Sequence, residues 1–259
     1  MSPAQATRGT QTSAEVLLEA REVTVRFGGL VAVNEVSASF RAGELVGIIG
    51  PNGAGKTTFF NALSGVTPPT GGTLIVQGED LTGARPHRFA HHGIARTFQT
   101  PRVFAELTVV ENIDFGLQFA GRGRSAPALL ADEASILGLI GLSAQAALPA
   151  AAITPSQQRL LEVGMALATR PRLLLLDEVA AGLTEAEVEN MAKLIRRLRD
   201  ELQLTVIWIE HAVTTLMRYV ERVLVLHQGR RIADGTPDEV VRNPEVIEAY
   251  LGDEMADAA

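Results

Sequence analysis

The stretch Gly50-Pro51-Asn52-Gly53-Ala54-Gly55-Lys56-Thr57 decides the fold. It fits the phosphate-binding pattern G-x-x-x-x-G-K-[ST]. In that pattern glycines let backbone N–H groups turn inward around phosphates, the lysine reaches the outer phosphates, and the hydroxyl residue serves Mg²⁺. The flanks agree. The apolar run Leu45-Val46-Gly47-Ile48-Ile49 reads as a buried strand. Thr58-Phe59-Phe60-Asn61-Ala62-Leu63 opens a helix whose N-terminus adds partial positive charge. Lys56 is therefore assigned to the β- and γ-phosphates of a nucleotide and Thr57 to Mg²⁺, with Gly50, Pro51, Asn52, Gly53, Ala54, Gly55 and Thr58 forming the cradle.

Outward from this unit, Leu17 to Phe27 and Val31 to Phe40 read as strands joined by a turn at Gly28-Gly29, and Gly71-Gly72 opens a further strand, Thr73 to Gln77. The middle of the chain changes character. Val109 to Ala120, Pro127 to Ile140 and Gln157 to Thr169 are helical patterns, the first two separated by the basic loop Gly121-Arg122-Gly123-Arg124. Strands then alternate with helices: Arg172 to Leu176, Glu185 to Leu202, Thr205 to Ile209, Ala212 to Tyr219, Arg222 to Leu226. Such alternation implies a parallel sheet with helices on its faces. The expected fold class is α/β: a phosphate-loop core of mostly parallel sheet with helices on both faces, an N-terminal antiparallel β subdomain, and an all-helical insertion near residues 100–165. Residues 1–16 are expected to be disordered, 17–252 to form a single domain and 253–259 a flexible tail.

Bulk composition narrows the function classes. The 259 residues carry 23 basic and 30 acidic side chains, a net charge of −7, which argues against general nucleic-acid affinity. With no cysteine, disulfides and thiolate metal sites are excluded. No apolar stretch approaches the ~18 residues of a spanning helix. Action at a membrane would require docking onto other chains that span it.

Three further signals carry chemistry. Leu173-Leu174-Leu175-Leu176-Asp177-Glu178 places two carboxylates at the C-terminal end of a core strand, where doubly wound sheets bind ligands. Asp177 is assigned to Mg²⁺ and Glu178 to polarising the attacking water. His211 follows Val206-Ile207-Trp208-Ile209-Glu210, on the edge where a γ-phosphate would sit. Gln99, in Ala95-Arg96-Thr97-Phe98-Gln99, offers an amide to Mg²⁺ and the water from the border of the helical insertion.

The order of these motifs resembles the ATP-binding-cassette ATPases over nearly the whole chain, from about Leu17 to Gly252. The resemblance implies ATP hydrolysis with ATP and Mg²⁺ as cofactors. Phe27 falls where that family stacks an aromatic on adenine; a half-buried strand aromatic is the competing reading. The chain departs from the family at the signature, usually Leu-Ser-Gly-Gly-Gln and here Ile153-Thr154-Pro155-Ser156-Gln157. Thr154 and Gln157 still form a T-x-x-Q capping box, with Pro155 at the first helical position. The Thr154 hydroxyl and the Ser156 N–H remain available to a γ-phosphate. Val179 replaces the usual proline after Glu178, and Thr184 stands where Asp or Asn is typical. One copy of each motif means one cassette, so the resemblance implies a dimer with two composite sites, with itself or with a second, different ATPase.

Several stretches are similar to the branch that serves importers of branched-chain and other hydrophobic amino acids. They include Phe27 to Val33, Gly93 to Gln99, Leu107 to Asn112, Ala180 to Thr184, and the tail from Ile232 to Gly252. Urea and short-amide importers share this branch. The resemblance implies integral membrane permease subunits, a second ATPase, an extracytoplasmic binding protein reached indirectly, and a place on the cytoplasmic face of the cell membrane. Phe98, Pro101, Val103 and Phe104 are candidate apolar contacts for the membrane subunit, core packing being the competing reading. His91-His92 beside Arg88 reads as a solvated helix end.

Overall fold

The computed structural model describes residues 14–120, 127–210 and 213–256. Its strands are β1 (Val16–Phe27), β2 (Leu30–Arg41), β3 (Leu45–Ile49), β4 (Gly71–Val76), β5 (Glu79–Asp80), β6 (Ile94–Arg96), β7 (Leu173–Asp177), β8 (Thr205–Ile209), β9 (Arg222–His227) and β10 (Arg230–Gly235). The helices are α1 (Lys56–Leu63), α2 (Pro86–His91), α3 (Val109–Gln118), α4 (Glu133–Ile140), α5 (Pro155–Ala168), α6 (Glu185–Leu202), α7 (Val213–Met217), α8 (Pro237–Val240) and α9 (Pro244–Ala256).

Two sheets form. One is antiparallel, in the order β2-β1-β4-β5; the other runs β10-β9-β3-β8-β7-β6. In the second, β9, β3, β8, β7 and β6 are mutually parallel and only β10 reverses. The expected α/β class, with its antiparallel subdomain and helical insertion, is the observed architecture. A parallel sheet buried on both faces needs apolar residues at every position, because alternate side chains enter different cores. Leu174 and Leu176 of β7 join Val206 and Trp208 of β8 in a core with α5 and α6. Leu173, Leu175, Ile207 and Ile209 face the other way, into a core shared with β1, β2 and Phe59 and Phe60 of α1. This two-sided burial is why the central strands read as unbroken apolar runs.

Parallel strands carry all their C-terminal ends to one edge, and that edge collects the loops after β3, β7, β8 and β9. Several boundaries differ from expectation. Val16 opens β1 one residue early, and α9 continues through Ala256, beyond the Gly252 expected to end the domain. Pro127 to Ile140 is not one helix. Asp132 caps α4 by accepting the Ser135 N–H at 2.8 Å, and a separate 3₁₀ turn spans Ala128–Leu130. The capping carboxylate breaks a run that apolar periodicity alone would continue. Residues 1–13, the Gly121 to Arg124 loop, His211 and Ala212, and residues 257–259 lie outside the described residues.

Candidate functional site

The phosphate loop is built by two glycines with no room for a side chain. Gly50 leaves β3 at φ 151°, and a Cβ there would meet the Leu226 carbonyl oxygen at 2.0 Å. Gly55, at φ 95°, precedes α1 directly, and a Cβ there would meet the Ala32 oxygen at 2.3 Å. Both the left-handed turn and the close approach of neighbouring backbone exclude any other residue. Helix α1 has no side-chain cap and no acidic residue in its first turn, so its N-terminal N–H groups face the loop. The Lys56 ammonium donates to the carbonyls of Gly50 and Pro51 at 2.6 and 2.9 Å, within the loop's curve.

A cleft of about 700 Å³ gathers the rest. It is lined by Asn52 to Thr58, Gln99, Glu178, Phe27 with Leu30, and Gln228-Gly229 from the β9–β10 turn. Phe27, the last residue of β1, stands at the rim of the cleft, 54% exposed. Glu178, 5% exposed, has a positive φ of 49° and anchors its own N–H on the Ile209 carbonyl at 3.0 Å. A non-glycine residue in this region carries roughly 1–3 kcal/mol of strain and clusters at functional sites. Its Oε2 accepts the Gln99 Nε2 at 2.7 Å. Asp177 lies behind Glu178, 2% exposed. One of its oxygens meets the Arg96 guanidinium at 3.3 Å, and its backbone N–H is held by the Thr97 hydroxyl at 3.1 Å.

The signature residues lie elsewhere. Thr154 forms the expected capping box: its hydroxyl accepts the Gln157 N–H at 3.3 Å and its own N–H donates to the Gln157 amide oxygen at 3.0 Å. Thr154, Ser156 and Gln157 border a different cavity, of about 530 Å³, against Leu183, Glu187 and Met191. So the chain brings Phe27, the loop, Gln99 and Glu178 together and keeps Thr154, Ser156 and Gln157 apart from them; His211 lies outside the described residues.

Sequence reading missed the support beneath this cleft. Arg96 donates to Asn61 of α1 and to Ser64 at the C-cap of that helix, each at 2.8 Å, as well as pairing with Asp177, and so ties three elements together. Glu162 is a carboxylate in the apolar run Leu160-Leu161-Glu162-Val163, and that break in hydrophobicity was the available signal. Its Oε1 accepts the backbone N–H groups of Phe98 at 3.3 Å and Arg102 at 3.0 Å. Burial pushes its pKa up from 4.5 to about 7, opposed by those two N–H bonds and by Arg159 and Arg102; Arg96 also faces it. A folded pKa above the unfolded one gives stability that is full below about pH 4.5 and lost as pH rises through about 7. Denaturant midpoints of the wild type should therefore fall relative to Glu162→Gln, which mimics the protonated carboxyl, between about pH 5 and about pH 8. Parallel curves would remove this assignment.

A strand–phosphate loop–helix unit facing strand-end carboxylates defines a phosphate-loop nucleoside triphosphatase. The comparisons give the particular family. Residues 33–181 match the ABC transporter model, and residues 230–256 match the model for the branched-chain amino acid ATP-binding cassette transporter. The high-affinity branched-chain amino acid transport ATP-binding protein BraF of Pseudomonas aeruginosa is 41% identical over 250 residues, covering 92% of this chain and 98% of that protein. LivG of Escherichia coli K12, a protein of the same description, is 40% identical over the same shares. A crystal structure of the ADP conformation of an ATP-binding cassette of an ABC transporter superposes with a TM-score of 0.81 at 29% identity, covering 92% of this chain and 99% of that one. The chain belongs to the ABC transporter family, as an ATP-binding ATPase component.

Proposed function

We propose that this chain is the ATP-hydrolysing subunit of an importer for branched-chain or other hydrophobic amino acids. The observation that carries the reading is its 41% identity across 92% of its length to a branched-chain amino acid transport ATP-binding protein, joined to the match of its tail. A single cassette over residues 17–252 works as a dimer, with itself or with a second ATPase.

The site supports the following division of labour. The loop from Gly50 to Thr58 and the Lys56 ammonium hold the ATP phosphates, and Phe27 stacks on the base. Thr57 and Gln99 line the cleft and would offer oxygens to Mg²⁺, with Asp177, 2% exposed behind Glu178, as the third oxygen donor; the Gln99 nitrogen is committed to Glu178, which leaves the amide oxygen for this role. Held by these residues, Mg²⁺ would supply positive charge that offsets the charge of the phosphates. Glu178 takes the proton of the attacking water, and His211 holds the γ-phosphate side. Thr154, Ser156 and Gln157, remote from this chain's own cleft, serve the ATP of the other subunit.

No helix among the described residues is long and apolar enough to cross a membrane. The importer reading, by its likeness to transport ATP-binding proteins, places the chain peripherally on the cytoplasmic face, docked on permease subunits, with a binding protein outside. An exposed aromatic cluster supplies a docking surface. Phe104 packs edge-on against Phe115, and Phe115 packs at a tilt against Phe119, with centroids 4.6 and 5.1 Å apart, and Phe119 is 67% exposed. Of the other expected contacts, Phe98 carries the guanidinium groups of Arg96 and Arg102 on its ring, and Pro101 and Val103 are half-buried. The test is to trap tagged Glu178→Gln with MgATP in gently solubilised membranes and identify what co-purifies. Multi-span membrane subunits are expected, with a second ATPase if the dimer is mixed. A membrane-free preparation, or one bound to ribosomes or DNA, overturns the transport reading and leaves the ATPase chemistry standing. Stimulation of the purified complex by a urea-binding partner would shift the solute to urea.

A further inference from the structure

The contact between Gln99 and Glu178 joins two segments that are 79 residues apart in the chain, and each is loop backbone at the point of contact. Two loops do not hold a 2.7 Å hydrogen bond in register without a rigid reference. Helix α5 is that reference. Arg159 and Glu162 are spaced i, i+3 on α5 and share one face of it. Through Oε1, Glu162 accepts the N–H groups of Phe98 and Arg102, which bracket Gln99 on both sides. Arg159 Nη1 donates to the Gln99 carbonyl at 3.2 Å and, from the same nitrogen, to the Glu178 carbonyl at 3.1 Å. The backbone around Gln99 is thus fixed at three points and that of Glu178 at one, all by two side chains of one helix.

The rest of the surroundings reinforce the arrangement. Arg102 and Arg96 lie on the Phe98 ring, 3.8 and 4.4 Å from its centroid, which immobilises the residue before Gln99. Glu178 itself sits at φ 49°, a conformation that surroundings must over-determine to persist. Glu162 is 5% exposed, so its two N–H bonds cannot be replaced by water without opening the interface. The Thr154 turn is the N-terminus of the same helix, so Arg159 and Glu162 lie one and two turns from it on a continuous 14-residue rod.

We propose that Arg159 and Glu162 are positioning residues for hydrolysis. They clamp the backbone around Gln99 and the Glu178 carbonyl to α5, and so hold the Gln99 amide against the Glu178 carboxylate. This rests on the reading of Gln99 and Glu178 as parts of the hydrolytic site.

The test is a double-mutant cycle in the full-length chain, with MgATP as the probe, reading kcat separately from nucleotide affinity. Arg159→Met and Glu162→Leu should each lower kcat about tenfold and change the MgATP dissociation constant less than about twofold. Glu162→Gln keeps the amide oxygen that accepts both N–H groups and should restore kcat to within about twofold of wild type. In a Gln99→Ala background, Arg159→Met should add less than about a twofold loss, because the amide whose meeting with the Glu178 carboxylate the clamp secures is gone. Full multiplication of the two losses, or no rescue by Glu162→Gln, overturns the clamp. If Glu162→Leu does not fold, the Arg159→Met cycle decides alone. Unchanged kcat in Gln99→Ala itself would instead refute the underlying assignment of the site, a distinct result.

Discussion

Replacing Glu178 with glutamine is expected to lower ATP turnover by about 10²–10⁴-fold while MgATP still binds. The substitution keeps the shape of the side chain and an oxygen that accepts the Gln99 amide, which reaches Glu178 at 2.7 Å in the wild type. It leaves untouched the backbone anchor on the Ile209 carbonyl and the positive φ of 49° that turn the residue toward the cleft. What it removes is basicity: an amide cannot take a proton from water. The expected pattern is a collapse of kcat with near-normal affinity, which marks an interaction made in the transition state and not in the ground state. Single-turnover hydrolysis and calorimetry with the same nucleotide separate the two. Near-normal turnover in this variant would assign the base elsewhere on the strand-end edge.

Lys56→Ala should do the reverse and act on binding. Lys56 is 6% exposed and its ammonium lies inside the curve of the loop on two carbonyls, while the helix behind it brings no acidic residue to its first turn. Against a polyphosphate this is a desolvated charge pair, and deleting one member of such a pair costs about 2–4 kcal/mol, or roughly 30- to 1000-fold in dissociation constant. Folding stability should also fall, by about 1–3 kcal/mol, since the Gly50 and Pro51 carbonyls that lose their donor are buried. Unchanged affinity for MgATP by calorimetry would refute the assignment of Lys56, whatever the outcome at Glu178. The two variants together therefore separate holding the nucleotide from cleaving it.

The sequence by itself determined everything that a short spacing encodes. Gly50 and Gly55 with Lys56 and Thr57 specify a loop between a strand and a helix, because only glycine tolerates their dihedrals and crowding. Four leucines ending in Asp177-Glu178 specify a two-sided strand with carboxylates at its end, and the T-x-x-Q spacing of Thr154 and Gln157 specifies a capped helix start. Even locally the reading fails where two signals compete, as at Asp132, whose capping carboxylate overrides the apolar period that ran through it.

Only the tertiary structure decided which of these pieces meet. The order β9-β3-β8-β7-β6 brings the loop after β3 and the carboxylates after β7 to one edge, and the turn into α5 leaves Thr154 beside a different cavity. The pairing of Gln99 with Glu178, and the grip of Arg159 and Glu162 on the backbone around them, are invisible in sequence. Periodicity reports the face a side chain occupies on its own element. The partner across a gap of 60 to 80 residues is set by how whole elements pack.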